Sequence, residues 1–216
     1  MTRPPRDEEE GAIHHAVPQG NGRRRIVEDD RDRRAYLARF WRVSRELDWR
    51  ESAGCLMDTH HHTIVETAEP NLGLGMQRVQ GGHSRWLNAR HGREGQVFRH
   101  RFWSNRVLDE GWFFRACLYV VVNPVAAGLC VHPADWPWSS YAATAYGDPH
   151  TYAPGEERLL MMFGDSPDEA RRRYIEIVDE AAELVRARRL ADGNVVWRAL
   201  ADLETRVCGS KEQVSG

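Results

Sequence analysis

Along residues 30–47 the apolar positions Tyr36, Leu37, Phe40, Trp41, Val43 and Leu47 recur close to the 3.6-residue period of an amphipathic helix, and they predict one there. Residues 12–17 read as a short strand running into the turn-forming Gln19-Gly20-Asn21-Gly22. Two further strand patterns follow at 52–57 and 60–67, the second rich in β-branched side chains at Thr63, Ile64, Val65 and Thr67, with Asp58-Thr59 as the turn between them. Residues 71–91 predict a second helix with Leu72, Met76, Val79 and Trp86 as core contacts, although Gly81-Gly82 weakens its middle. Residues 97–107 alternate enough to predict a strand. Asp109 offers a cap for a segment reaching Val122, where Tyr119, Val120, Val121 and Val122 would also suit a strand, and Pro124 is expected to end it.

The order strand, helix, strand, strand, helix, strand, then one more helix, predicts an α+β fold of the ferredoxin-like, split βαβ kind, with an antiparallel sheet. Pro133 and Trp136-Pro137-Trp138 predict irregular structure continuing as a loop to about Gly155. Residues 167–189 predict one charged helix with Tyr174, Ile175, Val178 and Leu184 for docking, and a weaker helical pattern surrounds residues 195–207. Three regions are expected: a loose, disordered terminus over residues 1–11, a main domain over 12–146, and a helical C-terminal extension over 147–216.

At 216 residues, with 41% hydrophobic and 29% charged content, the chain can bury one core. No apolar run reaches the roughly 20 residues of a membrane helix, and the charged stretch over residues 6–10 does not resemble a signal peptide, so a cytoplasmic protein without membrane contact is expected. Cys55, Cys117, Cys130 and Cys208 form no C-x-x-C pair and read as buried, reduced thiols. The formal net charge of −2 hides an uneven distribution. Between residues 71 and 106 stand Arg78, Arg85, Arg90, Arg93, Arg99, Arg101 and Arg106 against Glu94 alone, while many acids follow Gly155. Lys211 is the only lysine, so the positive charge is almost wholly guanidinium, which can fork onto phosphate and stack on bases. The same stretch would also serve as a solvated face.

Two small constellations carry chemistry. His60, His61 and His62 lie in a strand pattern, which would project His60 and His62 to one face, where two imidazoles can grip a divalent ion; a surface histidine cluster is the plainer alternative. Tyr119 and Asn123 are four residues apart, which on a helix puts a phenol and an amide on one face; a core tyrosine and a helix-terminating Asn are the plainer alternatives.

Taken together, several collinear segments resemble one family. Leu56-Met57-Asp58-Thr59-His60-His61-His62, followed by Glu66-Thr67, is similar to the HUH strand of the REP-associated tyrosine transposases. Asn71 to Arg78 and Gly95 to Phe102 resemble that family's central helix and following strand. The run Tyr119-Val120-Val121-Val122-Asn123-Pro124, continuing to Leu129, resembles its nucleophile motif, and Asp135 to Tyr141 its downstream signature. The resemblance covers residues 12–146. Two positions depart from the family pattern: His61 fills a usually hydrophobic place, where it would face packing helices and need a partner, and Asp58-Thr59 stands where the family shows Pro-Asn.

The resemblance implies an HUH motif on a central strand and a catalytic tyrosine on a following helix. It implies Tyr119 as nucleophile, with His60, His62 and Asn123 holding a divalent metal, Mg²⁺ or Mn²⁺. The implied activity is transposition: cleavage and rejoining of single-stranded DNA, at hairpins of palindromic repeats, through a 5′-phosphotyrosine intermediate, by a monomer or homodimer. Arg99, Arg101 and Arg106 are the first candidates for phosphate contact, joined by Arg78 and Arg85, with Trp103 and Trp138 for base stacking. The alternatives are an inactive or domesticated protein that binds a DNA hairpin without cutting it, and a histidine-based hydrolase of free nucleotides.

Overall fold

The structure, a computed structural model, describes residues 8–99, 101–148, 152, 157–187 and 193–212. The elements run β1 (Ile13–Val17), α1 (Asp30–Glu46), β2 (Trp49–Leu56), β3 (His61–Thr67), α2 (Leu72–His91), β4 (Trp103–Arg106), α3 (Glu110–Ala126), α4 (Tyr141–Tyr146), α5 (Glu157–Leu160), α6 (Pro167–Ala187), α7 (Gly193–Ala199) and α8 (Ala201–Glu212). The strands form one sheet in the order β2-β3-β1-β4, with β1 antiparallel to both β3 and β4. This is the split βαβ order, and the fold is α+β as expected. Two compact units result, one of Met1–Arg50 with Leu56–Val107, the other of Glu51–Cys55 with Leu108–Gly216. The division falls after Val107, so the helix bearing Tyr119 belongs with the C-terminal helices.

In the first unit, α1 starts where the Asp29 carboxylate accepts the Asp32 backbone N–H at 3.0 Å, with Asp30 and Asp32 favourably placed in the first turn. Its buried stripe is Tyr36, Leu37, Phe40 and Val43. The α2 helix runs unbroken through Gly81-Gly82 and stops at Gly92, whose φ of 59° is the left-handed cap that glycine adopts without penalty. Leu72, Met76 and Val79 are buried as expected, but Trp86 is only half-buried; His83 takes an interior place instead. Arg90 ties the two helices together by donating to Asp29 at 2.7 Å and also to the fully buried Asp32.

Three expectations need correction here. The strand over 97–107 is confined to Trp103–Arg106; Val97 and Phe98 instead turn into the core, and Phe98 keeps a single bridge to Gly20. Pro124 does not end its helix. It sits in the last turn of α3, where only one backbone bond is lost, while Ala127 N–H donates to Asn123 O at 2.9 Å and Leu129 N–H to Pro124 O at 2.9 Å. The expected loop to Gly155 contains α4, closed by Gly147 at φ 68°.

In the second unit, α3 is apolar nearly all round, with Phe113, Phe114, Cys117, Leu118, Val120, Val121, Val122 and Val125 buried, and it packs against α6, α7 and α8. Such complete burial overrides the strand propensity of Val120, Val121 and Val122. The segment over 135–141 has a structural role: Ser140 Oγ accepts the Gly54 N–H at 3.1 Å, and Ser140 N–H donates to Gly54 O at 2.8 Å. Tyr152 donates to Glu51 at 2.8 Å across the face of Gly54, where a Cβ would collide with the phenol oxygen. Trp138 is 7% exposed and so packs in the interior rather than offering a stacking surface. Cys55 and Cys117 are buried, whereas Cys130 and Cys208 are part-exposed, and all four are free thiols. Among the described residues no helix is long and apolar enough to cross a membrane.

Candidate functional site

Strand alternation sorts the three consecutive histidines. His61 points toward α1, fully buried, with Nδ1 3.2 Å from the Tyr36 hydroxyl and its ring edge-on to Phe40. His60 and His62 share the opposite face, their ring centroids 4.8 Å apart. Asp58, in the turn before them, receives Arg33, and Arg25 at 2.9 Å, while its carbonyl accepts the Ile26 N–H at 2.7 Å. The Asp58-Thr59 turn is thus anchored by two guanidiniums and two backbone bonds, the second from the Gly20 N–H to Thr59 O at 2.8 Å.

A third imidazole joins this face. The β1–β3 register sets His15 opposite Ile64, diagonal to His62, and His15 Nε2 lies 3.0 Å from His62 Nδ1, a hydrogen bond in which one ring nitrogen donates and the other accepts. His60 Nδ1 is likewise 2.9 Å from the Thr59 hydroxyl. Burial lowers His15 to about 4 and, with help from the neighbouring imidazoles, holds His62 well below the ordinary histidine value, so both are neutral at pH 7. Neutral imidazole is the form that binds a metal. His15 escaped the sequence reading. The signal was present in His14-His15 within a five-residue strand, one of which must share a face with any pair on the neighbouring strand.

The donor set fits a divalent ion in kind. Two imidazoles share a face, and each has its Nδ1 engaged, by Thr59 and by His15, the outer-shell pattern that orients ligating histidines. Among the described residues no group of three or more His, Cys, Asp or Glu side chains is arranged to hold a metal ion.

The surrounding residues divide. Trp103 on β4 lies on the imidazole face, 50% exposed and edge-on to His15 at 5.1 Å between centroids. Arg99 is exposed beside the same edge: its N–H donates to Gln19 O at 2.9 Å, and Gln19 bridges to His60. Arg101 is half-exposed in the same connection. Arg106 forms an ion pair with Glu9 at 2.7 Å. Arg78 and Arg85 are on α2, in the helix layer on the far side of the sheet, and are not brought together with the imidazoles. Much of the basic run is answered from within the first unit, since Arg90 pairs with Asp29 and Asp32, and Arg93 with Glu28 at 2.9 Å.

Tyr119 and Asn123 both lie on α3, half-buried and one turn apart, in the second unit. The Tyr119 ring is edge-on to Trp197 of α7 at 6.0 Å, and Arg115, one turn earlier on α3, lies over the same indole at 5.0 Å while pairing with Glu204.

No protein-family model matches the chain, and no curated protein sequence matches it. Among solved structures, the chain is similar to a REP-associated tyrosine transposase bound to a REP hairpin, at 17% identity and a TM-score of 0.59, over 72% of this chain and 93% of that one. A candidate transposase from Deinococcus radiodurans aligns at 11% identity and a TM-score of 0.37, over 50% of this chain and 88% of that one. In fold, this chain is similar to a REP-associated tyrosine transposase.

Proposed function

We propose that this chain is a metal-dependent transposase and endonuclease that cleaves and rejoins single-stranded DNA through Tyr119. The observation that carries the reading is the His60–His62 pair on one sheet face, braced through Nδ1, in a fold shared with a transposase that was solved bound to a REP hairpin. By that likeness the partner is a hairpin of a palindromic repeat. Residues 12–146 would form the catalytic region and 147–216 a helical extension.

His60 and His62 would hold Mg²⁺ or Mn²⁺ through Nε2, with Asn123 as the third ligand. Bound there, the ion would draw charge from a phosphate oxygen and orient the phosphodiester. The Tyr119 oxygen attacks phosphorus as the bond to the 3′ oxygen breaks; the phenol gives up its proton, and the departing oxygen leaves as a 3′-hydroxyl, having gained one. A 5′-phosphotyrosine results, and a second 3′-hydroxyl reverses the step on a new strand without any energy donor. Trp103 offers a stacking face, and Arg99, Arg101 and Arg106 offer charge to the backbone.

The full chain incubated with a hairpin oligonucleotide and Mn²⁺ should yield a covalent protein–DNA band that survives denaturation. The band should vanish in Tyr119→Phe and on chelation, and fall at least a hundredfold in His62→Ala. Retarded DNA without any such band would instead support the non-cutting hairpin-binding alternative.

A further inference from the structure

The seam between α1 and α2 opens into a groove of about 530 Å³ lined by Arg39, Arg42, Glu46, Arg78, Arg85 and Trp86. It lies in the helix layer, on the face of the sheet to which His61 points, and so on the opposite side from His60 and His62. Four guanidiniums therefore face one carboxylate. Glu46 meets Arg42 and Arg78 only at 3.8 Å, both contacts being exposed. Arg39 and Arg85 have no acidic partner among the described residues, and Arg39 Nη1 is buried with no hydrogen-bond partner there. A buried donor of this kind calls for an acceptor.

The helix is shaped to hold this arrangement. A Cβ at Gly82 would stand 2.6 Å from Arg39 Nε and 2.8 Å from Arg39 Cδ, so the glycine that weakens α2 is what lets Arg39 lie across it. Burial first, then repulsion from Arg42 and Arg85, lowers the Arg39 pKa, a cost that an arriving anion would offset. The groove exceeds the volume of one phosphate, its charges are spread along two helices, and Trp86 supplies a flat wall. Those features suit a chain of phosphates better than a single ion.

We infer that this groove binds the phosphodiester backbone of a nucleic acid, with Arg39 and Arg85 as its phosphate contacts. The choice of DNA as the polyanion rests on the proposed function; the groove itself is independent of Tyr119 chemistry.

The test measures binding of a hairpin oligonucleotide to the full chain across a salt series. The Arg39→Gln/Arg85→Gln double variant should bind about tenfold more weakly or worse, and its log–log salt slope should be shallower by about 1.4 to 1.8. Gly82→Ala, which keeps every charge and favours the helix, should weaken binding severalfold by displacing Arg39. Arg206→Gln, on α8 and paired with Glu180, should leave affinity and slope near wild type. Inorganic phosphate at matched ionic strength should not displace the DNA; full displacement would make this a free-phosphate site and overturn the inference. Unchanged slopes in both groove variants overturn it as well, whatever the covalent band shows. Absence of the covalent band with the groove effects intact would sink the cutting reaction and leave the groove standing.

Discussion

The Tyr119 hydroxyl lies so close to Gly193 that a Cβ built on that glycine would stand 2.6 Å from it, while the ring carbon Cζ would remain at 3.6 Å. The start of α7 therefore sits over the phenol that the proposed reaction uses, and only a residue without a side chain fits beneath it.

Gly193→Ala should force either α7 or the phenol to move, costing about 1–3 kcal/mol as an overpacked contact does. In Tyr119→Phe the hydroxyl is absent and the nearest atom becomes Cζ, at ordinary contact distance, so alanine should then be tolerated. A double-mutant cycle on urea unfolding should give a coupling of about 1–2 kcal/mol between the two positions. Additive effects would show that α7 does not bear on the hydroxyl.

Arg90 joins the start of α1 to the end of α2 through carboxylates of unequal exposure. Asp29 is largely exposed, but Asp32 is fully buried and keeps only the Glu28 N–H and His91 when the guanidinium is removed. Arg90→Ala should destabilise the fold by about 3 kcal/mol, because it leaves a buried carboxylate short of its main counter-charge. A loss under about 1 kcal/mol in denaturant unfolding would mean the network is worth no more than an exposed pair.

Acid should weaken the fold before it protonates the carboxylates. His83 is buried against Tyr36 and Trp86, its Nε2 donates to Ile26 O at 2.7 Å, and burial lowers it from 6.5 to about 4. Between those values the unfolded chain binds the proton and the folded one does not. The stability that His83 gives is present above pH 6.5 and lost as pH falls toward 4, by about 1.4 kcal/mol per pH unit and about 3 kcal/mol in all. His15, lowered to about 4, and His61, lowered to about 3, act in the same direction. Urea midpoints measured from pH 8 to pH 4 should fall through this window, and His83→Gln should flatten the fall by one histidine's share; an unaltered profile in that variant would contradict the assignment.

How far the chain could be read in advance followed from how local each determinant is. Strand alternation alone separates His61 from His60 and His62, and the α1 and α2 periods place their buried faces, so the sheet, its two helices and half of the candidate site were legible. His15 was not, because its relation to His62 depends on the β1–β3 register, which pairs residues 47 positions apart. Pro124 and the valines of α3 misled for the opposite reason: their local preferences are real, but burial on nearly every side outweighs them. The arginine run looked like one surface because linear charge counts do not see Asp29, Asp32, Glu28 and Glu9 folding back onto it. Once those pairs are set aside, Arg39 and Arg42, far upstream in sequence, join Arg78 and Arg85 in the groove.

The His15–His62 hydrogen bond gives the remaining prediction, which rests on the proposed metal site. His15 does not lie with the other two imidazoles as a third ligand; its Nε2 faces the Nδ1 of His62. It is a positioning residue, fixing the His62 ring and its tautomer so that Nε2 is the atom offered to an ion. His15→Phe keeps an aromatic ring beside Trp103 but removes the hydrogen bond, and should weaken Mn²⁺ binding by about 10- to 100-fold in calorimetry. His15→Gln retains a polar end group able to meet Nδ1 and should recover part of that loss, which a role in packing alone would not produce. Equal Mn²⁺ affinity in wild type and His15→Phe would show that the two rings only pack, and that His62 is oriented by its strand.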